Sequence, residues 1–180
     1  MQRTINYIIC VLLVSVTLIG CSSEPSLQRY FVDNQETKNF LSQDLPISML
    51  KIDESKLNET QKEAYKSVKR LNFLGYKISD TNVEEFNTEL AKVKAILQNK
   101  KYNELIEFRD KGNKISVKYV GNDDEADEVI LLGSSKDYGF AVVRILGNNM
   151  RPNKIYTLVE AMQHSNLDKS QFEGIADFFK

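Results

Sequence analysis

The chain has 180 residues, 42% of them hydrophobic, and a formal net charge of −1 at pH 7. This length and composition predict a single domain with a sizeable core. The longest basic clusters, Lys66/Lys69/Arg70 and Lys100-Lys101, are typical of solvated helix edges, so we expect no nucleic-acid partner.

The first 20 residues have the layout of an export signal. Arg3 supplies a positive charge, and residues 8–19 form an apolar run without a charged residue. A membrane-spanning helix needs about 20 apolar residues, whereas this run ends sooner and polar residues follow it. Residues 1–20 are therefore predicted to be a signal peptide.

The junction Leu18-Ile19-Gly20-Cys21 resembles the lipobox of bacterial lipoproteins. Gly20 allows the signal peptidase to approach the backbone closely, and the Cys21 thiolate is the nucleophile that takes a diacylglycerol group. We expect cleavage between Gly20 and Cys21, with two or three acyl chains such as palmitate anchoring the protein to a membrane. In the alternative, an ordinary secreted protein in which Cys21 is incidental, both residues flanking the cleavage site would favour small side chains.

Loss of Cys10 with the signal and acylation of Cys21 would leave no free thiol and no internal disulfide. With one histidine in the chain, this argues against thiolate catalysis, Cys-ligated zinc and multi-histidine sites. We expect no metal and no cofactor. The rest of the chain divides into a lipidated cysteine with a short tether, residues 21–26, and one domain, residues 27–180.

The domain is predicted to begin with an amphipathic helix, with Leu27, Tyr30 and Phe31 on one side, followed by a strand over residues 40–45. Pro46 ends this strand because proline has no N–H to donate to a sheet.

A second helix is predicted after Asn58, which has the spacing of a reciprocal cap with Gln61. Its apolar face continues through Ala64, Val68 and Leu71, and residues 71–78 then predict a strand.

The clearest helix signal begins with Thr81 and Glu84, which have the spacing of a capping box. Apolar residues then recur at steps of three and four, at Val83, Phe86, Leu90, Val93 and Leu97. This spacing predicts a helix with one buried face.

Four strands are predicted next, over residues 104–109, 114–120, 128–134 and 140–146. Their short connections predict antiparallel neighbours. Polar Ser116 and Lys118 indicate one solvated face on the second of these strands. Residues 129–132 and 141–143 are apolar on both faces, which favours central strands covered by helices.

Pro152 is placed as the first residue of a helix with an apolar stripe through Ile155, Leu158, Val159 and Met162. A last amphipathic stretch carries Leu167, Phe172, Ile175, Phe178 and Phe179. Together, these helices and strands predict an α+β domain with a mainly antiparallel sheet and helices packed mostly on one face.

The order of these elements, the turn Lys111-Gly112-Asn113-Lys114 and the Ile145-Leu146-Gly147 ending before a helix resemble a bacterial lipoprotein family known as domain of unknown function 4252. The resemblance covers residues 27–162. It implies an exported, lipid-anchored domain of Gram-negative envelopes and carries over no catalytic or ligand-binding residue. The stretch from Leu167 onward is an addition to the common pattern.

The acidic loop from Asp123 to Glu128 is a candidate calcium site. It fails the EF-hand pattern because the sixth position, Glu128, should be glycine and the twelfth, Ser134, should be glutamate. A solvated hairpin loop is the favoured interpretation.

Ser48 and Lys51 have the spacing of the serine and lysine in penicillin-binding enzymes, with Ser79-Asp80-Thr81 approximating a second motif. A Lys-Thr-Gly motif is missing, so a chance occurrence of this spacing is favoured.

His164 is a candidate base, but its place near a helix end favours a role in complementing the helix dipole.

The apolar face of Phe172, Ile175, Phe178 and Phe179 would suit a partner or a lipid surface, although completion of the core is favoured. Three functions stay open: a non-enzymatic envelope module that binds another protein or a small molecule, a hydrolase using carboxylates, and an envelope-stress accessory protein. Ser22 and Ser23 do not resemble an inner-membrane retention signal and Glu24 is a poor match to surface-export signals. We therefore expect the outer membrane, facing the periplasm.

Overall fold

A computed structural model describes residues 24–49, 52–110, 112–164 and 173–180, except for the side chains of residues 110 and 159–164. The helices are α1 Leu27–Asn34, α2 Glu59–Ser67, α3 Val83–Leu97, α4 Pro152–His164 and α5 Glu173–Phe178. The strands are β1 Phe40–Pro46, β2 Val68–Lys77, β3 Asn103–Asp110, β4 Asn113–Gly121, β5 Ala126–Ser135 and β6 Gly139–Met150. Short 3-10 turns occupy Ile47–Met49 and Glu54–Lys56.

The six strands form one sheet in the order β1-β2-β6-β5-β4-β3. Every neighbouring pair is antiparallel, which confirms the prediction made from short connections for the four consecutive strands β3 to β6. The apolar runs of β5 and β6 lie inside the sheet, where the sequence placed central strands. The predicted α+β fold in a single domain is confirmed.

Helices cover both faces of the sheet. One face presents Leu74, Ile130 and Val142, each 0% exposed, to α1 and α3; we call it the α1/α3 face. The opposite face packs against α2 and α4 through a second cluster that contains Val117, Val129 and Ile145; we call it the α2/α4 face. The sequence predicted helices mostly on one face, but strands that are apolar on both sides require cover on both.

The antiparallel register brings one end of every strand to the same edge of the domain. The residues at this edge, which we call the Pro46 end, are Pro46, Val68, Asn103, Gly121, Ala126 and Met150. The side chain of Asn99, just after α3, donates to Glu24 Oε2 at 3.2 Å. The first described residue therefore also lies at the Pro46 end.

The reciprocal cap of α2 is confirmed. The Asn58 backbone N–H donates to Gln61 Oε1, and the Gln61 N–H donates to Asn58 Oδ1, both at 2.9 Å. The helix is shorter than predicted, because the backbone turns extended at Val68. Val68 and Leu71 belong to β2.

The predicted capping box of α3 at Thr81 is wrong. The N-cap residue is Asn82, whose side chain makes no capping bond. Its amide instead accepts from the Ser79 N–H at 2.7 Å and donates to the Lys77 carbonyl at 3.1 Å, which closes the preceding turn. Val83 is 47% exposed and lies outside the buried stripe.

The polar face of β4 is less solvated than predicted. Ser116 is 7% exposed, and the Lys118 side chain, 18% exposed, lies 3.8 Å from Glu104. Both lie on the α1/α3 face, since Lys118 is paired with Ile130 in the sheet.

Candidate functional site

A groove of about 730 Å³ lies between α1 and α3 at the Pro46 end. The two helices run antiparallel, because Glu24 contacts Asn99 and Tyr30 contacts Glu89. The volume falls in the range of small-molecule sites, roughly 300–1,000 Å³. The lining residues are Glu24, Pro25, Ser26, Arg29, Tyr30, Asp33, Lys92, Ala95, Ile96, Gln98 and Asn99.

A hydrogen-bonded carboxylate holds the base of the groove together. The Tyr30 hydroxyl donates to Glu89 Oε2 at 2.7 Å, and Lys92 Nζ donates to Glu89 Oε1 at 2.6 Å. The Glu89 side chain is 11% exposed whereas that of Lys92 is 56% exposed. Each carboxylate oxygen of this largely buried side chain therefore accepts a hydrogen bond, which offsets the cost of its burial. The arrangement ties α1 to α3.

Tyr30 is fixed as a neutral donor. Burial is the largest cause that raises its pKa, and the hydrogen bond to Glu89 and the charge of Glu89 act in the same direction. The ring of this neutral tyrosine lines the groove, and its hydroxyl is hydrogen-bonded to Glu89. It is suited to shaping the site and unsuited to acting as a base.

The rim of the groove carries charges of both signs. Arg29 and Asp33 form an i,i+4 pair at 3.7 Å, with side chains 63% and 61% exposed. Glu24 is also exposed and accepts from Asn99. Both carboxylates and the Arg29 guanidinium are exposed, so the rim presents charges of both signs to solvent.

The chemistry that this groove supports is binding of an amphipathic molecule. Pro25, Tyr30, Ala95 and Ile96 supply apolar surface, and long charged side chains add their aliphatic stems. The charged rim provides partners for polar ends of a bound molecule.

A second buried polar pair lies on the α1/α3 face of the sheet. The Arg144 guanidinium donates through Nε and through a terminal nitrogen, at 3.3 Å, to the two carboxylate oxygens of Glu128. The Phe31 ring covers it, with its centroid 5.4 Å from the guanidinium carbon. The side chains of Arg144 and Glu128 are 11% and 14% exposed. This ion pair is therefore a structural element beneath α1.

The acidic loop is organised by hydrogen bonds among its own groups. Asn122 Oδ1 accepts from the N–H groups of Asp124 and Glu125, both at 2.9 Å. Asp123 accepts from the Tyr119 hydroxyl, and Glu128 is engaged with Arg144. Within the described residues, no group of three or more His, Cys, Asp and Glu side chains is arranged to hold a metal ion.

Most of the other residues singled out from the sequence lie outside the described part of the chain. Ser48 is exposed in a 3-10 turn, and Lys51 lies outside the described residues. His164 ends α4, but its side chain lies outside the described set. Gly20 and Cys21, where cleavage and lipidation are predicted, also lie outside it.

The C-terminal apolar face is described only in part. Phe179 packs edge-on against Phe73, with centroids 6.4 Å apart, on the α2/α4 face. The rings of Phe178 and Phe179 also pack edge-on, with centroids 5.1 Å apart. Leu167 and Phe172 lie outside the described residues.

Glu89 and Arg144 were not predicted as buried polar residues, although the sequence contains a signal for each. Glu89 occupies a core position in the three-and-four spacing of α3, between Phe86 and Val93. Arg144 interrupts the apolar run of β6. A charge at a core position is unusual unless it is paired.

Comparison with known proteins identifies one family. The family model described as Domain of unknown function (DUF4252) matches residues 30–158, more than two thirds of the chain. No curated protein and no solved structure matches the chain. Among the described helices, none has the length and apolar character needed to cross a membrane.

Proposed function

The chain belongs to the DUF4252 family, and from this membership and its groove we propose that it is a lipid-anchored cell-envelope protein that binds an amphipathic ligand. It acts as a binding module and not as an enzyme. The observation that carries the proposal is the groove between α1 and α3, which combines apolar lining residues with a charged rim and includes Glu24 in its lining.

The sequence before the groove supports the anchor. Cys21 follows Leu18-Ile19-Gly20 in the pattern of a lipobox, and three positions separate it from Glu24. An extended chain covers at most about 3.6 Å per residue, so a lipid on Cys21 holds the groove close to the membrane surface. Ser22 and Ser23 favour the outer membrane, with the domain in the periplasm.

The location of the groove supports the ligand class. A pocket beside a bilayer meets molecules with an apolar body and a polar end. The apolar lining residues stabilise the body by about 25 cal/mol per Å² of surface buried. Lys92 and Arg29 offer cations to an anionic end, and Asp33 and Glu24 offer carboxylates to a cationic one.

The experiment compares photo-cross-linking at two alanines of α3, both exposed. Ala95 lines the groove, whereas Ala91 does not. A photoreactive phenylalanine analogue at Ala95 should capture a discrete adduct in intact cells, and the same analogue at Ala91 should not. Mass spectrometry identifies the adduct. Equal adducts at both positions, or none at Ala95, would contradict a groove ligand.

The anchor is tested separately on the same purified protein. The intact mass should correspond to a chain that starts at Cys21 and carries two or three acyl chains, and Cys21→Ser should abolish processing. A bare Cys21 thiol or a retained leader would overturn the anchor and leave the groove result standing.

A further inference from the structure

A smaller cavity of about 270 Å³ lies on the α2/α4 face of the domain at the Pro46 end. The end of α2, the end of β6 and the start of α4 form its walls. Its polar lining residues include Glu63, Lys66, Asn148, Asn149, Arg151 and Lys154. Residues far apart in the chain meet here, since Lys154 donates to Glu63 across 91 positions.

The charge of this cavity is positive. Three cations, Lys66, Arg151 and Lys154, face one carboxylate, Glu63. The hydrogen bond from Lys154 and its charge lower the pKa of Glu63, and Arg151 acts in the same direction. Glu63 therefore remains ionised at neutral pH and neutralises one cation, and Lys66 and Arg151 leave an excess of two positive charges.

The donors in the cavity suit a small oxyanion. Arginine presents a planar fork of N–H groups that matches a phosphate, lysine adds a mobile point charge, and asparagine side chains donate from their amides. Lys66 and Arg151 are both exposed, so an anion reaches them without rearrangement of the core. The cavity is below the usual volume of drug-sized sites, roughly 300 Å³ or more.

We propose that the cavity between α2 and α4 is a phosphate-binding site. It lies at the same end of the domain as Glu24, where the chain enters from the N-terminal segment. The phosphate group comes either from an anionic lipid headgroup or from free phosphate in solution. This site is distinct from the groove, which lies on the opposite face of the sheet.

The test uses the protein purified from cells in a nonionic detergent, and follows the backbone amide signals of Ser67 and Asn149 by NMR. One arm adds inorganic phosphate at constant ionic strength. The other adds anionic lysophosphatidylglycerol to the micelles, with zwitterionic lysophosphatidylcholine as its reference. The variant is Lys66→Gln/Arg151→Gln. The control, Lys94→Gln/Lys136→Gln, removes the same charge from exposed positions outside the cavity.

The expected result is saturable shifts of both signals in the wild type and the control, with apparent affinity at least about tenfold weaker in the Lys66/Arg151 variant. Saturation at a lower concentration of anionic lipid than of inorganic phosphate assigns the headgroup as the source, and the reverse order assigns free phosphate. The absence of saturable shifts in both arms overturns the proposal. Equal weakening in variant and control also overturns it, because a general electrostatic effect would then explain the shifts.

Discussion

At the scale of single residues, two buried tyrosines on the α1/α3 face show how a hydroxyl group contributes to stability. The Tyr30 hydroxyl donates to Glu89. Among the described residues, the buried Tyr76 hydroxyl has no hydrogen-bond partner. Burial, followed by the nearby Glu85 carboxylate, raises its pKa to about 12. The hydroxyl group is therefore expected to stabilise the folded protein at Tyr30 and to destabilise it at Tyr76.

Removing each hydroxyl should have opposite effects on stability. Tyr76→Phe should leave the free energy of unfolding unchanged or raise it by up to about 1 kcal/mol, since an unpaired polar atom is removed. Tyr30→Phe should lower it by about 1–3 kcal/mol, since the buried Glu89 loses a donor. Urea denaturation at pH 7 measures both. Equal losses in the two variants would show that Tyr76 has a partner too.

At the scale of elements, the β5–β6 hairpin requires glycine at one position and tolerates a side chain at another. Gly139 has a φ of +116°, and a Cβ there would lie 1.9 Å from the Tyr76 carbonyl oxygen. Gly133, in β5, has open space where its Cβ would be. The close approach of β6 to β2 at Gly139 therefore depends on the missing side chain.

Alanine substitution at these two glycines should separate the effects. Gly139→Ala should destabilise the protein by more than about 2 kcal/mol, through backbone strain and the clash with β2. Gly133→Ala should be neutral or stabilise by about 0.5–1 kcal/mol, because alanine restricts the unfolded chain. Thermal melts followed by circular dichroism compare the two. A large loss from Gly133→Ala would mean that another group fills the space beside it.

At the scale of the whole molecule, two hydrophobic clusters share one sheet. Leu132 and Val142 belong to the cluster under α1 and α3, and Val129 and Ile145 to the cluster under α2 and α4. The strands β5 and β6 supply side chains to both clusters. Loss of either cluster therefore exposes one face of the strands that the other cluster needs. The domain should unfold as one cooperative unit.

Large-to-small substitutions on opposite faces test this coupling. Leu132 and Ile145 are 6% and 4% exposed, and Leu132→Ala and Ile145→Ala should each cost about 2–5 kcal/mol. In both variants, far-UV circular dichroism and tyrosine fluorescence should follow the same urea transition. Separate transitions in either variant would show that the two clusters unfold independently.

The sequence by itself determined the local structure and the order of the elements. The Asn58/Gln61 cap, the stripe from Phe86 to Leu97 and the antiparallel strands with short turns are encoded within a few residues. The apolar runs of β5 and β6 also identified central strands. Where prediction failed locally, at Thr81, the neighbouring Asn82 supplied a turn through hydrogen bonds to Ser79 and Lys77 that spacing alone does not reveal.

Only the tertiary structure decided what the surfaces of the domain present. Periodicity shows that a strand has an apolar face, but the packing of distant segments determines which helix covers that face. The groove depends on α1 lying against α3, and the basic cavity brings Lys66 to Arg151 although 85 positions separate them. Pairings of this kind arise from burial shared across the whole sheet, which no local pattern specifies.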